Sequence, residues 1–214
     1  MKSNILSFGI VGIWENIKSS IPILGNEFCK DLFGDVYNTI TGMTEEGFLI
    51  SLPSSRLPVE SVIIHHQRIQ FITHDFDRLL DISSKVIGQL DSLKDFSTSV
   101  RAIGFNTEFE ISDIGAESSS WISNKFINSN EINKQFPENI LVTKDLKFDV
   151  LLSDDKKVGL ILQPRVGRPD AIYLKINFHK GGVPEKYPDS EKIKKMYNES
   201  STIFEKQIAS LFNK

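Results

Sequence analysis

Hydrophobic residues recur along this chain with two different periods, and the changes between them mark its elements. The opening run "ILSFGIVGIW" is nearly all apolar and predicts a buried strand; no small-residue cleavage site follows it, so it is not read as a secretion signal. "NEFCKDLFGD" sets Phe28, Leu32 and Phe33 at helical spacing and is closed by Gly34, which predicts a short helix. "VYNTITGM", "GFLISLP" and "VESVIIHHQRIQFIT", broken by turns such as "LPSSRLP", are rich in β-branched and aromatic residues and predict three strands. At Thr73 to Asp77 the period lengthens from 2 to 3.6. Asp75 is placed to cap a helix whose apolar positions are Phe76, Leu79, Leu80, Val86, Ile87 and Leu90, ending near Leu93.

"SVRAIGFNTEFEIS" returns to alternation, with Arg101, Ile103, Phe105, Thr107, Phe109 and Ile111 on one side and Ala102, Gly104, Asn106, Glu108 and Glu110 on the other. One or two helical turns are expected around Trp121 to Ile127, then a loop to Pro137. "LKFDVLLS", "KKVGLILQPR" and "DAIYLKINFH" predict three more strands, the first two joined by the turn "SDDKK". After the loop "KGGVPEKYPDS" a terminal helix begins, capped by Asp189 or Ser190, with Ile193, Met196, Ile203, Phe204, Leu211 and Phe212 as its stripe. Sheet and helix are segregated rather than strictly alternating. The fold class is therefore α+β, a mostly antiparallel sheet with helices on one face. The 214 residues are read as a single domain, with the option of two similar halves at about 1–115 and 140–214, each containing a unit of three strands followed by a helix, at about 40–93 and 146–212.

Composition changes this picture little: 40% hydrophobic and 25% charged residues are ordinary for a globular chain, and fifteen phenylalanines predict an aromatic-rich core. The net charge of −3 is uneven. Residues 1–150 are acidic in balance, while residues 151–214 carry twelve basic and eight acidic side chains. The one cysteine, Cys29, excludes an intramolecular disulfide and suits a reducing, cytoplasmic setting; no run is long enough for a membrane-spanning helix.

Candidate chemistry is sparse. His65, His66 and His74 fall close together, but neighbours on a strand point to opposite faces, so no metal site is assigned. No nucleotide or dinucleotide glycine loop and no nucleophile elbow is present, and no cofactor is expected. The strongest stretch is "QPRVGRPDAIYLKINFHK". It sets Arg165 and Arg168 in a stiff turn beside a strand whose polar face is Tyr173, Lys175, Asn177 and His179. Such a face suits an acidic partner or a phosphate backbone, through forked arginine contacts.

"SVRAIGFNTEFEI", through Arg101, Ile103, Gly104 and Phe105, and the terminal "STIFEKQIASLF", through Phe204, Glu205 and Ile208, resemble a sporadically distributed bacterial family of unassigned function. The resemblance implies a fold rather than a mechanism. By analogy it also implies an accessory protein of a defence or toxin-neutralising cassette. The expectation is a non-catalytic, cytoplasmic binding module whose sites are Arg165, Arg168, Tyr173, Lys175, Asn177 and His179. A protein partner is favoured over nucleic acid because the whole chain is acidic; no membrane contact is expected, and a homo-oligomer stays open. Reversing Arg165 and Lys175 to glutamate is expected to abolish capture of the partner without altering unfolding. Two alternatives are nucleic-acid binding through the basic C-terminal third, and a metal-dependent hydrolase or nuclease assembled from Glu108, Glu110, His66 and His179.

Overall fold

A strand that is apolar on both faces belongs in the middle of a sheet, and the first strand, β1 (Lys2–Trp14), is found there. A computed structural model describes residues 2–34, 38–53, 60–127 and 144–209 of the chain, without the side chains of residues 207 and 208. After β1 come α1 (Asn26–Leu32), β2 (Ile40–Thr44), β3 (Gly47–Leu52), β4 (Glu60–Ile64), β5 (Arg68–Thr73) and α2 (Phe76–Asp91). They are followed by β6 (Ser99–Ser112), α3 (Ser118–Phe126), β7 (Leu146–Ser153), β8 (Lys156–Arg165), β9 (Arg168–Lys186) and α4 (Ser190–Ile203), which runs into a π-helical turn, Phe204–Ile208. The strands form one sheet of order β2-β3-β4-β5-β1-β6-β9-β8-β7, antiparallel at every pairing. The α+β class and its antiparallel sheet are as expected.

Alternation along each strand builds the core. Phe8, Ile10, Phe71, Phe105 and Phe178 lie side by side on one face. Phe105 is fully buried, with the rings of Phe76 from α2 and Tyr197 from α4 at 6.0 and 5.7 Å. Phe204 stacks on Phe109 at 4.5 Å, and α3 brings Phe126 to Phe148. Helices α2, α3 and α4 thus stand over the same face. α1 is tied to α2 by Arg78, whose Nη2 donates to the Phe33 carbonyl at 2.8 Å. Asp75 and Asp189 cap α2 and α4, accepting from the backbone N–H groups of Arg78 and Lys192.

Three expected elements differ. "VESVIIHHQRIQFIT" is a hairpin, not one strand: the His65 N–H donates to the Arg68 carbonyl, turning the chain between β4 and β5. His65 and His66 therefore sit in a turn, rings 5.7 Å apart, and not on opposite strand faces. The first strand-rich block consequently holds four strands before its helix, and the last holds three. "KGGVPEK" continues β9 to pair as far as Ser99 with Lys186, around a bulge at Gly182, Val183 and Pro184, between the Ala102–Gly181 and Val100–Glu185 pairs. Glu117 starts α3 three residues early by accepting from the N–H groups of Ser119 and Ser120. With the Ser119 hydroxyl bond foremost, these contacts hold its carboxyl pKa at about 2. Most of the "LPSSRLP" turn, the loop at Pro137 and the expected Leu211 and Phe212 of the terminal stripe lie outside the described residues.

Candidate binding face

The period of β9 does what its sequence predicts. Ile172, Leu174, Ile176 and Phe178 are buried, and Tyr173, Lys175, Asn177 and His179 stand half-buried on the opposite face, away from the helices. What the sequence hides is their neighbour. β6 lies beside β9 with Glu110 opposite Tyr173, Glu108 opposite Lys175, Asn106 opposite Asn177 and Gly104 opposite His179. The acidic pair and the cationic stretch are one surface.

That pairing matches charge with charge. Lys175 Nζ donates to Glu108 Oε1 at 3.1 Å, and Arg165 Nε to Glu110 Oε2 at 3.1 Å. Arg168 Nη1 lies 3.5 Å from Glu110 Oε1, and its Nε is 3.4 Å from Asp170. The two arginines, expected to stand free for forked contacts, clasp Glu110 from the Val166–Gly167 turn. Burial, reinforced by the nearby Glu108 carboxylate that accepts from it, pushes the Tyr173 hydroxyl far above its ordinary range. Burial and then the Lys157 ammonium lower the His179 imidazole below its ordinary value, which keeps it uncharged at neutral pH.

Sequence reasoning missed the centre of this face. A row runs through all nine strands: Ile40, Ser51, Ser61, Ile72, Gly9, Asn106, Asn177, Gly159 and Asp149. Its small residues let polar side chains lie down on the sheet. A Cβ on Gly104 would meet Asn177 Oδ1 at 3.0 Å, and one on Gly159 would meet Asp149 Oδ1 at 2.9 Å. Asn106 is only 8% exposed, and its Oδ1, like that of Asn177, is buried with no hydrogen-bond partner among the described residues. Beside them Lys147, Asp149, Ile161, Lys175 and Asn177 border a shallow depression over Gly159. Gly104 and Asn106 are legible as one side of β6, but nothing local in the chain says that Asn177 lies beside them.

The catalytic grouping is not assembled. His66, in the β4–β5 turn, has Nδ1 2.8 Å from the Lys18 carbonyl, and His74 Nδ1 lies 3.1 Å from the Leu6 carbonyl. Among the described residues no three His, Cys, Asp or Glu side chains are grouped so as to hold a metal ion. Cys29 is buried, which raises its thiol pKa. In the C-terminal third, Lys156, Lys157, Lys186, Lys192 and Lys194 each lie within 3.3 Å of a carboxylate oxygen, so its cationic excess is largely matched in place. Among the described residues no helix is long and apolar enough to cross a membrane. No family model and no curated protein matches the chain.

Proposed function

We propose that this chain is a non-catalytic binding module that recognises a protein through the face of its sheet that no described helix covers, centred on Asn106, Asn177, Lys175 and Tyr173. The observation that carries the proposal is the chemistry of that face, where half-buried Tyr173, Lys175 and Asn177 stand beside a shallow depression over Gly159 and the cations Lys175 and Arg165 are matched by Glu108 and Glu110. Around them the face alternates half-buried apolar side chains, Val11, Leu49, Ile63 and Ile72, with paired charges, the mixed chemistry of protein interfaces. Matched cations favour a protein over a polyanion, because phosphate binding draws on lysines and arginines free to replace counterions. The cytoplasmic setting and the role in a bacterial defence or toxin-neutralising cassette belong to this proposal and rest on the lone cysteine and the family resemblance.

The half-buried ion pairs change the variant to make. With Arg165→Glu a carboxylate would face Glu110, and with Lys175→Glu another would face Glu108, so the simple double reversal perturbs the fold as well as the surface. Exchanging the partners, Glu108→Lys with Lys175→Glu, keeps the pair and inverts the pattern a partner meets. The exchanged protein is expected to unfold within roughly 3 °C of the original, since such pairs contribute about 0–1 kcal/mol. Capture of the partner from the producing organism's lysate is expected to fall about tenfold or more. Unchanged capture contradicts the proposal, and affinity that collapses by about 10³ between 50 and 200 mM salt assigns the surface to a polyanion instead.

A further inference from the structure

On the helix-covered side of the sheet, positive charge is left over at one place. Lys156 and Lys180 are directly opposed on β8 and β9, and the alternation that buries Val158 and Phe178 turns both lysines toward that side. Like charges so opposed repel one another. From α4, Lys192 and Lys195 approach the same place, and the four lysines border one depression of about 500 Å³ with Phe178 and Met196 in its lining. Three carboxylates border it too, and each already has a partner: Glu199 lies 3.3 Å from Lys156 and Glu191 3.2 Å from Lys194, while Asp189 accepts from the Lys192 N–H as the cap of α4. The Lys192 ammonium is paired with Glu185, outside the depression. Asp155, at the neighbouring β9 bulge, accepts from Ser153 Oγ at 2.7 Å. Lys180 and Lys195 therefore have no carboxylate oxygen within 4.0 Å among the described residues.

We infer that this depression, between α4 and the ends of β8 and β9, is a binding site for the phosphate group of a small molecule, held by Lys180 and Lys195 with Lys156 beside them. Two unmatched ammonium groups answer the two negative charges of a phosphate monoester, and a lysine ammonium is a compact charge with three donors, suited to phosphate oxygens. A bound dianion also relieves the repulsion between Lys156 and Lys180, so the arrangement that is unfavourable in the empty site favours the ligand. The volume lies within the roughly 300–1,000 Å³ usual for small-molecule pockets and exceeds what a phosphate fills, which leaves room for the rest of the ligand against Phe178 and Met196. A nucleic acid is disfavoured, because its backbone calls for a row of free cations and most lysines of this third are already paired.

Titration calorimetry with phenyl phosphate, in a phosphate-free buffer of low ionic strength, is expected to give a dissociation constant below about 1 mM, and benzyl alcohol, which has the ring without the charge, is expected not to bind. Lys180→Gln and Lys195→Gln are each expected to weaken phenyl phosphate about tenfold, the worth of one charge-assisted hydrogen bond. Lys30→Gln, on α1 and also without an ion pair, is expected to change nothing. Without ligand, Lys180→Gln is expected to unfold at or above the wild-type midpoint, because it removes one of two opposed like charges, so its loss of binding is not a loss of fold. A dissociation constant above about 10 mM for the wild type overturns the inference, as does affinity unchanged in the double variant or lowered equally by Lys30→Gln. An oligothymidylate that binds more tightly than phenyl phosphate, and weakens steeply with salt, overturns the assignment to a small molecule. The site lies on the opposite side of the sheet from the proposed protein-binding face, and none of these outcomes bears on that partner.

Discussion

Replacing Phe105 by alanine is expected to destabilise the fold by about 3–5 kcal/mol, the range for deleting a large aromatic from a rigid core. Phe105 is fully buried on β6, near the middle of the sheet, and its ring is held between Phe76 of α2 and Tyr197 of α4. Its removal takes away transfer free energy and leaves a void that three separate elements would have to close together. At about 2–4 °C per kcal/mol for a chain of this size, the unfolding midpoint drops by roughly 6–20 °C in a thermal melt followed by far-ultraviolet circular dichroism. Phe105→Leu refills most of the volume and is expected to restore most of the loss. A loss no greater than that of an exposed substitution would contradict the packing described for the two helices.

The second large effect is electrostatic. Glu60, at the start of β4, is 7% exposed, and its Oε2 lies 2.8 Å from Arg78 Nε on α2. Its Oε1 also accepts from the His74 N–H at 3.4 Å, so one carboxylate joins β4, the β5–α2 connection and α2. Glu60→Ala leaves a guanidinium partly enclosed without its counter-charge. Breaking a fully buried pair costs about 3–5 kcal/mol, and because Arg78 retains some contact with water the expected loss is about 2–3 kcal/mol. Adding Arg78→Met is expected to recover part of it, since an apolar replacement of both partners removes the uncompensated charge. Denaturant unfolding of the four proteins in a double-mutant cycle measures this directly. An additive cycle would mean that the two side chains do not depend on one another.

The fold is legible wherever the local period is clean. Ile172 to His179 alternates strictly, so both faces of β9 follow from the residues alone, and Asp75 with Phe76, Leu79 and Leu80 announces α2. Sequence and structure part where punctuation and geometry disagree. His65, His66 and Gln67 turn the chain without glycine or proline, so β4 and β5 look continuous. Gly181, Gly182 and Pro184 look like a loop, but Gly181 still pairs with Ala102, and Gly182 and Pro184 ride a bulge in a strand that runs on beside β6. The candidate site is half legible for a different reason. Which side chains share a face is a local property, but that β6 lies against β9, placing Glu108 beside Lys175 across 67 positions, is set by the packing of the whole sheet. Two patches that look separate in sequence, one acidic and one basic, are therefore a single, nearly neutral surface.

The central claim, that the sheet face opposite the described helices holds the partner, is tested most directly by site-specific photocrosslinking. A benzophenone side chain at Gln163, across from Tyr173 on that face, should form a covalent adduct of one defined mass with the partner in cells. The same group at Lys85, exposed on α2 over the opposite face, should form none. An adduct from Lys85 with none from Gln163 would contradict the account.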